Sequence, residues 1–192
     1  MTRSVVQLGG QALKLDADGD TTIQVSSDDV LVVDTAGNEA LKIDANGHIT
    51  KALQSAFLVF GSGDQNNLAI NTTHDVTCFS SEIFDQNADF ASNTFTAPVT
   101  GRYQLNLKLL FISVDADNNF LNTYLVTSNR TYGYTINAIG FDADGYASAV
   151  INQLVDMDAG DTAKAQVQIP NDGTAQTDIS AANSYFSGYL VA

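Results

Sequence analysis

Apolar and polar residues alternate over short runs through most of the chain, and the period is two. Across 102–113, Tyr103, Leu105, Leu107, Leu109 and Phe111 fall on one side and Gln104, Asn106 and Lys108 on the other. That pattern predicts a strand with one buried face. Tyr132, Tyr134, Ile136 and Ala138 alternate with Thr131, Gly133, Thr135 and Asn137. Ala163, Ala165, Val167 and Ile169 alternate with Thr162, Lys164, Gln166 and Gln168. Further strands are predicted at 75–83, 93–97, 121–128, 147–155 and 184–191. Residues 56–60 are apolar at every position, which predicts a strand buried on both faces. No long run carries the helical period. About eight to ten short strands punctuated by turn residues predict an all-β sandwich or jelly roll over 53–192.

The first fifty or so residues follow a different rule: they repeat. Ala12-Leu13-Lys14-Leu15-Asp16-Ala17-Asp18-Gly19-Asp20 matches Ala40-Leu41-Lys42-Ile43-Asp44-Ala45-Asn46-Gly47-His48, and Leu31-Val32-Val33-Asp34-Thr35-Ala36-Gly37-Asn38 is a looser copy. Each copy is a short strand with apolar residues at i and i+2, then Asp, then a turn in which Gly supplies positive φ. Such a stretch presents an apolar stripe with no second layer to cover it. Repeats of this kind become stable by stacking or by winding around other copies. Residues 1–52 are therefore read as a stalk or intertwining arm, with Leu13, Leu15, Leu41 and Ile43 as contacts between copies. The other reading is a meander folded back on the main domain.

Charge narrows the partners. Asp and Glu number 22 against eight Lys and Arg, a net charge of −14. Phosphate backbones and anionic membrane surfaces are gripped by basic groups, so neither nucleic acid nor membrane is an expected partner. No apolar run reaches the length of a membrane-spanning helix, and residues 1–10 lack the layout of a secretory signal.

Catalytic constellations are scarce. Cys78 is the sole cysteine, and the two histidines, His48 and His74, have no metal-like spacing. His74 and Cys78 would lie about 13 Å apart along a strand, too far to pair as base and nucleophile. Cys78 reads as a small core residue. No nucleophile elbow or phosphate loop occurs. Paired carboxylates could hydrolyse glycans, but most of them sit in Asp-Gly or Asp-Asn turns, where backbone hydrogen bonding accounts for them. Asp16, Asp18 and Asp20 resemble the opening of a calcium loop without its later bidentate Glu, and a turn is the expected role. Asn71 and Asn129 begin glycosylation sequons read as chance matches. No enzyme, cofactor or metal is expected.

Two patches resemble a known family. Phe84-Asp85, Phe90 and Asn93-Thr94-Phe95-Thr96-Ala97-Pro98-Val99-Thr100-Gly101-Arg102-Tyr103-Gln104-Leu105 are similar to the central signature of C1q-like domains, and Ser184-Tyr185-Phe186-Ser187-Gly188-Tyr189-Leu190 to their last strand. The resemblance implies a ten-strand jelly roll of the C1q and tumour-necrosis-factor type, assembled as a homotrimer. Its first and last strands would lie near the trimer contact, which makes Phe57, Val59, Tyr185 and Tyr189 contact candidates. Animal members carry a secretion signal and a collagen stalk; this chain has neither pattern. Residues 1–52 instead resemble the β-repeat stalks of tailed-phage fibres and other virion proteins.

Strand order adds a geometric expectation. If each strand crosses the sandwich once, loops 114–120, 140–146 and 170–182 share the end opposite the C-terminus, and the connections near 129–130 and 157–161 share the other. The three longer loops carry Asp115, Asp117, Asn118 and Asn119; Asp142, Asp144 and Tyr146; and Asn171, Asp172 and Gln176. Loops on a rigid scaffold are where recognition concentrates, so these are the ligand-facing candidates. The expected function is a non-enzymatic trimeric virion protein of a tailed phage, assembled in the host cytoplasm and exposed on the particle. Its partners would be tail or major capsid proteins. One role is a short tail fibre or spike knob binding a host surface glycan or protein; the alternative is a capsid decoration protein clamping neighbouring subunits through its arm. A bacterial adhesin or glycan-binding module is a third reading, one that would need an export signal.

Overall fold

A computed structural model of the chain describes residues 11–114, 118–138, 145–170 and 177–192. The chain divides into two compact units, Met1–Gln54 and Ser55–Ala192.

The described part of the first unit is an antiparallel meander. Strands β1 (Leu13–Lys14), β2 (Thr22–Ser27), β3 (Val30–Thr35), β4 (Asn38–Ile43) and β5 (Ile49–Thr50) pair in sequence order. Each repeat copy is one strand and its turn, as the alternation predicts. The Asp of each main copy ties its own turn. Asp16 Oδ1 accepts from the Gly19 amide at 2.9 Å, and both Asp16 oxygens take the Thr21 amide. Asp44 Oδ1 accepts from the Asn46 and His48 amides, each at 2.9 Å. In the looser copy Ala36 and Gly37 both have positive φ, 48° and 72°, the geometry of a tight hairpin whose twist matches its strands.

The second unit packs two sheets around one apolar core. Its strands are β6 (Ala56–Gly61), β7 (Gln65–Leu68), β8 (Thr73–Asp75), β9 (Phe79–Asp85), β10 (Phe90–Ala91), β11 (Thr94–Thr96), β12 (Gly101–Val114), β13 (Phe120–Thr127), β14 (Thr131–Asn137), β15 (Gly145–Met157), β16 (Thr162–Gln168), β17 (Thr177–Ile179) and β18 (Tyr185–Leu190). One sheet runs β7-β17-β12-β18-β6-β9, with β15 on the other edge of β12; the second runs β10-β11-β16-β13-β14, with β8 also on β16. Pairing between neighbours is antiparallel throughout. The period-two residues of β12 enter the core as expected: Tyr103, Leu105, Leu107, Leu109 and Phe111 are fully buried.

Two expectations need correction. The strand expected at 75–83 is interrupted. The Val76 amide donates to Ala165 O in one sheet, whereas Cys78 O accepts from Ser62 N beside the other, so the chain changes sheets between them. Within the chain itself the strand at 56–60 buries one face only, and Phe57 and Val59 are the residues on it. Phe57 and Val59 are 1% and 0% exposed, while Leu58 and Phe60 on the alternate face are only half-buried. Phe57 and Val59 are therefore core residues and not subunit contacts.

The residues behind the sequence signature have identifiable jobs. Asp85 accepts from the Asp89 and Phe90 amides at 3.0 and 2.9 Å, holding the turn after β9. Phe57 stacks on Phe95 and Phe90 at 4.8 and 5.1 Å and meets Phe186 edge-on at 5.2 Å. Tyr103 Oη donates to Val99 O at 2.7 Å, pinning the turn that contains Pro98.

Candidate functional site

The second unit has two unlike ends. At one end Tyr103 pairs with Leu190 and Tyr189 with Ala56, and Ala192 O accepts from Arg102 N at 2.7 Å, so the unit's own first and last residues meet there. The short connections gather at the same end: Ser128 N donates to Thr162 O, Asn129 Nδ2 to Asp161 Oδ2 at 2.8 Å, and Thr100 Oγ1 to Asp158 Oδ1. At the far end of β12, roughly 40 Å along a strand of that length, Val114 pairs with Gly145 and Ile112 with Asp178. In the other sheet Phe120 pairs with Asn137, and Asn122 with Gln168. The strand ends flanking 114–120, 138–145 and 169–177 thus converge at one end, opposite the unit's termini. A bulge marks the place, with Ser113 at φ 56°.

Of the ligand-facing candidates, Asp115, Asp117, Asp142, Asp144, Asn171, Asp172 and Gln176 lie outside the described residues. Asn119 is exposed, its carbonyl accepting from the Ala138 amide at 3.0 Å. Tyr146 is exposed at the start of β15. Asn118 is a correction: it is buried, with Nδ2 directed to Thr177 Oγ1 at 3.4 Å, and so ties two of the loop bases together instead of facing solvent.

The structure adds residues that the sequence did not single out. Phe120, Thr135 and Asn137, together with the candidate Asn119, line an open depression of about 380 Å³ at this end. Phe120 is 39% exposed because Leu121, its neighbour in β13, takes the inward position. The adjoining outer surface of the sheet is a ladder of neutral polar groups. Thr135 Oγ1 donates to Asn122 Oδ1 at 2.8 Å, and Asn122 Nδ2 and Tyr124 Oη both donate to Gln168 Oε1 at 3.3 Å. Charge enters further along, where Lys164 and Gln166 meet Asp75 at 2.9 and 2.7 Å; the Gln166 bond first and Lys164 second hold that carboxyl below its ordinary range.

Around the outer face of the larger sheet, Tyr189 is 50% exposed and Tyr185 half-buried, its ring 5.6 Å from that of Phe60. Leu58 and Phe60 share that face with Tyr185, Ser187 and Tyr189. On the N-terminal unit Leu13 and Leu15 are exposed and Leu41 and Ile43 half-buried.

No catalytic arrangement forms among the described residues. A second cavity, of about 310 Å³, is lined by Thr100, Arg102, Asn129, Asp156 and Asp158 near the termini, where Asn129 and Thr100 are already engaged in the turn bonds above. His74 Nε2 lies 2.8 Å from Ala69 O. Cys78 is buried and desolvation pushes its thiol up to about 11. It is expected to resist iodoacetamide at pH 8 in the folded chain and to be alkylated fully once unfolded, since the thiolate is the nucleophile. Mass spectrometry reads both states, and rapid native alkylation would contradict the packing.

Asp16, Asp18 and Asp20 each place a carboxylate oxygen within 4.8 Å of the others. Hydrogen bonds from Thr21 and Gly19 draw Asp16 down to about 2, while desolvation and then the charge of Asp16 raise Asp20. Asp16 is thus already committed to its turn, and Asp44 does the same work in the repeat partner, whose Asn46 and His48 replace the other two carboxylates.

No family model and no curated protein matches the chain. Solved structures do. The globular domain of zebrafish complement 1qA protein is 16% identical, covering 72% of this chain and 98% of its own length at a TM-score of 0.52. Murine APRIL at pH 8.0 is 12% identical, covering 72% of this chain and 99% of its own at a TM-score of 0.52. The fold is the C1q and tumour-necrosis-factor type of jelly roll.

Proposed function

We propose that this chain is a non-enzymatic, homotrimeric surface protein of a tailed-phage virion whose jelly-roll unit is a short tail-fibre or spike knob that binds a host surface component. The observation that carries the reading is the polarity of the second unit. Its first and last residues sit at one end, and the strand ends flanking 114–120, 138–145 and 169–177 sit at the other with an exposed Phe120 beside them. A unit attached at one end offers its opposite end to a partner. Support for the trimer comes from the fold type and from the half-exposed Leu58, Phe60, Tyr185 and Tyr189 on one sheet face. Support for the phage setting comes from the Leu-Lys-Leu-Asp repeats. The same repeats support the alternative of capsid decoration, in which residues 1–54 would clamp neighbouring capsid subunits.

Light scattering is expected to give three times the chain mass of 20.4 kDa. Purified virions labelled with antibody against residues 55–192 separate the roles: signal at the tail fits a knob, signal over the head fits decoration, and no particle signal defeats both. For a knob, Phe120→Ala is expected to weaken binding of the purified protein to host cells about tenfold, the scale of an aromatic anchor at a contact. Because that ring is largely outside the core, the melting temperature should hardly move. Unchanged binding would remove this depression from the contact.

A further inference from the structure

The sheet of the N-terminal unit has one aliphatic face. Register across the strands aligns Leu13, Ile23, Val33 and Leu41 in one row, and Val25, Leu31, Ile43 and Ile49 in a second. No polar side chain interrupts either row. These residues are far from covered: Val25 is 56% and Ile49 60% exposed, and Leu13, Ile23 and Leu31 are exposed as well. The opposite face carries Lys14, Thr22, Gln24, Asp34 and Lys42 around a single buried aliphatic residue, Val32 at 4% exposed, and there Thr22 Oγ1 and Gln24 Nε2 both donate to Asp34 Oδ2 at 2.9 Å.

We infer that this aliphatic face is a homotypic interface, covered in the assembled protein by the same face of other copies of the chain. Three observations select that occupant. The first is size. The exposed aliphatic surface amounts to roughly 500 Å², at the upper end of the largest patch a monomer leaves open. It also matches the apolar share of the ~800 Å² that each partner buries in a standard interface. The second is the form of the sheet. Its edge strands β1 and β5 are two residues each, too short to recruit a partner by strand addition, so contact goes through the face. The third is folding. The described unit holds a single layer of sheet, and one layer does not bury enough to be stable alone. Whatever covers it must be present whenever the chain folds, and other copies of the chain meet that condition. Three such faces turned toward one axis close on themselves and leave no aliphatic face open. The inference rests on the homotrimer proposed above and not on its virion setting.

Single cysteines in the full chain test it, with Cys78→Ala removing the native thiol. Val25→Cys, Leu31→Cys and Ile43→Cys place a thiol on the aliphatic face, and Thr50→Cys places one on the opposite face as the reference. The three face positions are expected to react with maleimide at least tenfold more slowly than Thr50→Cys in the assembled protein. At least one of the three should give disulfide-linked dimers on mild oxidation. If the protein is a trimer by light scattering but these thiols label as fast as Thr50→Cys, the inference fails while the trimer stands. Slow labelling without any interchain disulfide means something else covers the face and equally overturns it. A monomer overturns both.

Discussion

Truncating Phe57 to alanine is expected to cost the jelly-roll unit about 3–5 kcal/mol, the range for removing a buried aromatic ring. The ring is enclosed by Phe90, Phe95 and Phe186 at 4.8–5.2 Å between centroids. These neighbours come from strands in both sheets, so they cannot collapse into the space without moving the sheets apart or together. Aromatic pairs of this geometry add about 0.5–1.5 kcal/mol beyond burial, which places the cost high in the range. Denaturant unfolding of the purified protein, compared at equal chain concentration because assembly is linked to stability, measures it. Ile83→Ala is the control on β9, which also pairs with β6. That side chain is 61% exposed, so its loss should leave the unit's stability within about 1 kcal/mol, the scale of a surface change. Equal costs at the two positions would mean that enclosure of the Phe57 ring is not the cause.

The second large effect concerns Gly61. A methyl group there would sit 2.6 Å from the Cα, Cβ and carbonyl oxygen of Ala181. Ala181 opens the single 3-10 turn described in this unit, Ala181–Asn183, and its amide donates to Asp64 Oδ1 at 2.7 Å. Gly61 in turn donates to Ser184 O at 3.1 Å. The obstruction is backbone held from both sides, so no rotamer change relieves it. Gly61→Ala is expected to cost at least about 3 kcal/mol, at or beyond the usual range for overpacking a core, and thermal unfolding should show it as a large fall in melting temperature. Gly188→Ala should follow at a smaller cost, since two of its obstacles, Leu105 Cδ2 at 2.5 Å and Phe57 Cε1 at 2.8 Å, are side-chain atoms. Gly133→Ala supplies the contrast. Its nearest neighbour is the Tyr124 ring at 3.3 Å on the outer surface, and replacing a strand glycine recovers about 0.5–1 kcal/mol of conformational entropy. If all three substitutions behaved alike, the close approach at Gly61 would not be the cause.

These positions separate what was legible in the chain from what was not. Ser187-Gly188 stands in the sequence as part of a family-like signature, and the reason for the glycine, a Leu105 side chain lying across it, exists only in the folded sheet. Gly61 carries no signal at all, because Ala181 is 120 residues away in the chain. The candidate site divides in the same way. That the loops at 114–120, 140–146 and 170–182 belong together follows from counting strand crossings, and the flanking pairs Val114 with Gly145 and Phe120 with Asn137 lie at one end. Asn118 gave no warning that it would turn inward to Thr177, since a short polar residue in an Asp-Asn run reads as solvated. Phe120 was equally hidden: in Phe120-Leu121-Asn122-Thr123-Tyr124-Leu125 both parities contain apolar residues, so alternation alone does not say which side is buried.

Period-two patterning, Asp-Gly turn chemistry and the repeat were therefore enough to determine the all-β class, most strand positions, the turns that Asp16 and Asp44 hold, and an N-terminal stretch with an aliphatic stripe. All of these are local, depending on residues within one strand or one turn of each other. The tertiary structure decided which face of β6 is core, where the chain changes sheets between Val76 and Cys78, which glycines are obligatory and where Phe120 opens to solvent. Each of those depends on the second sheet, and a residue's sequence neighbours carry no record of what packs across from it.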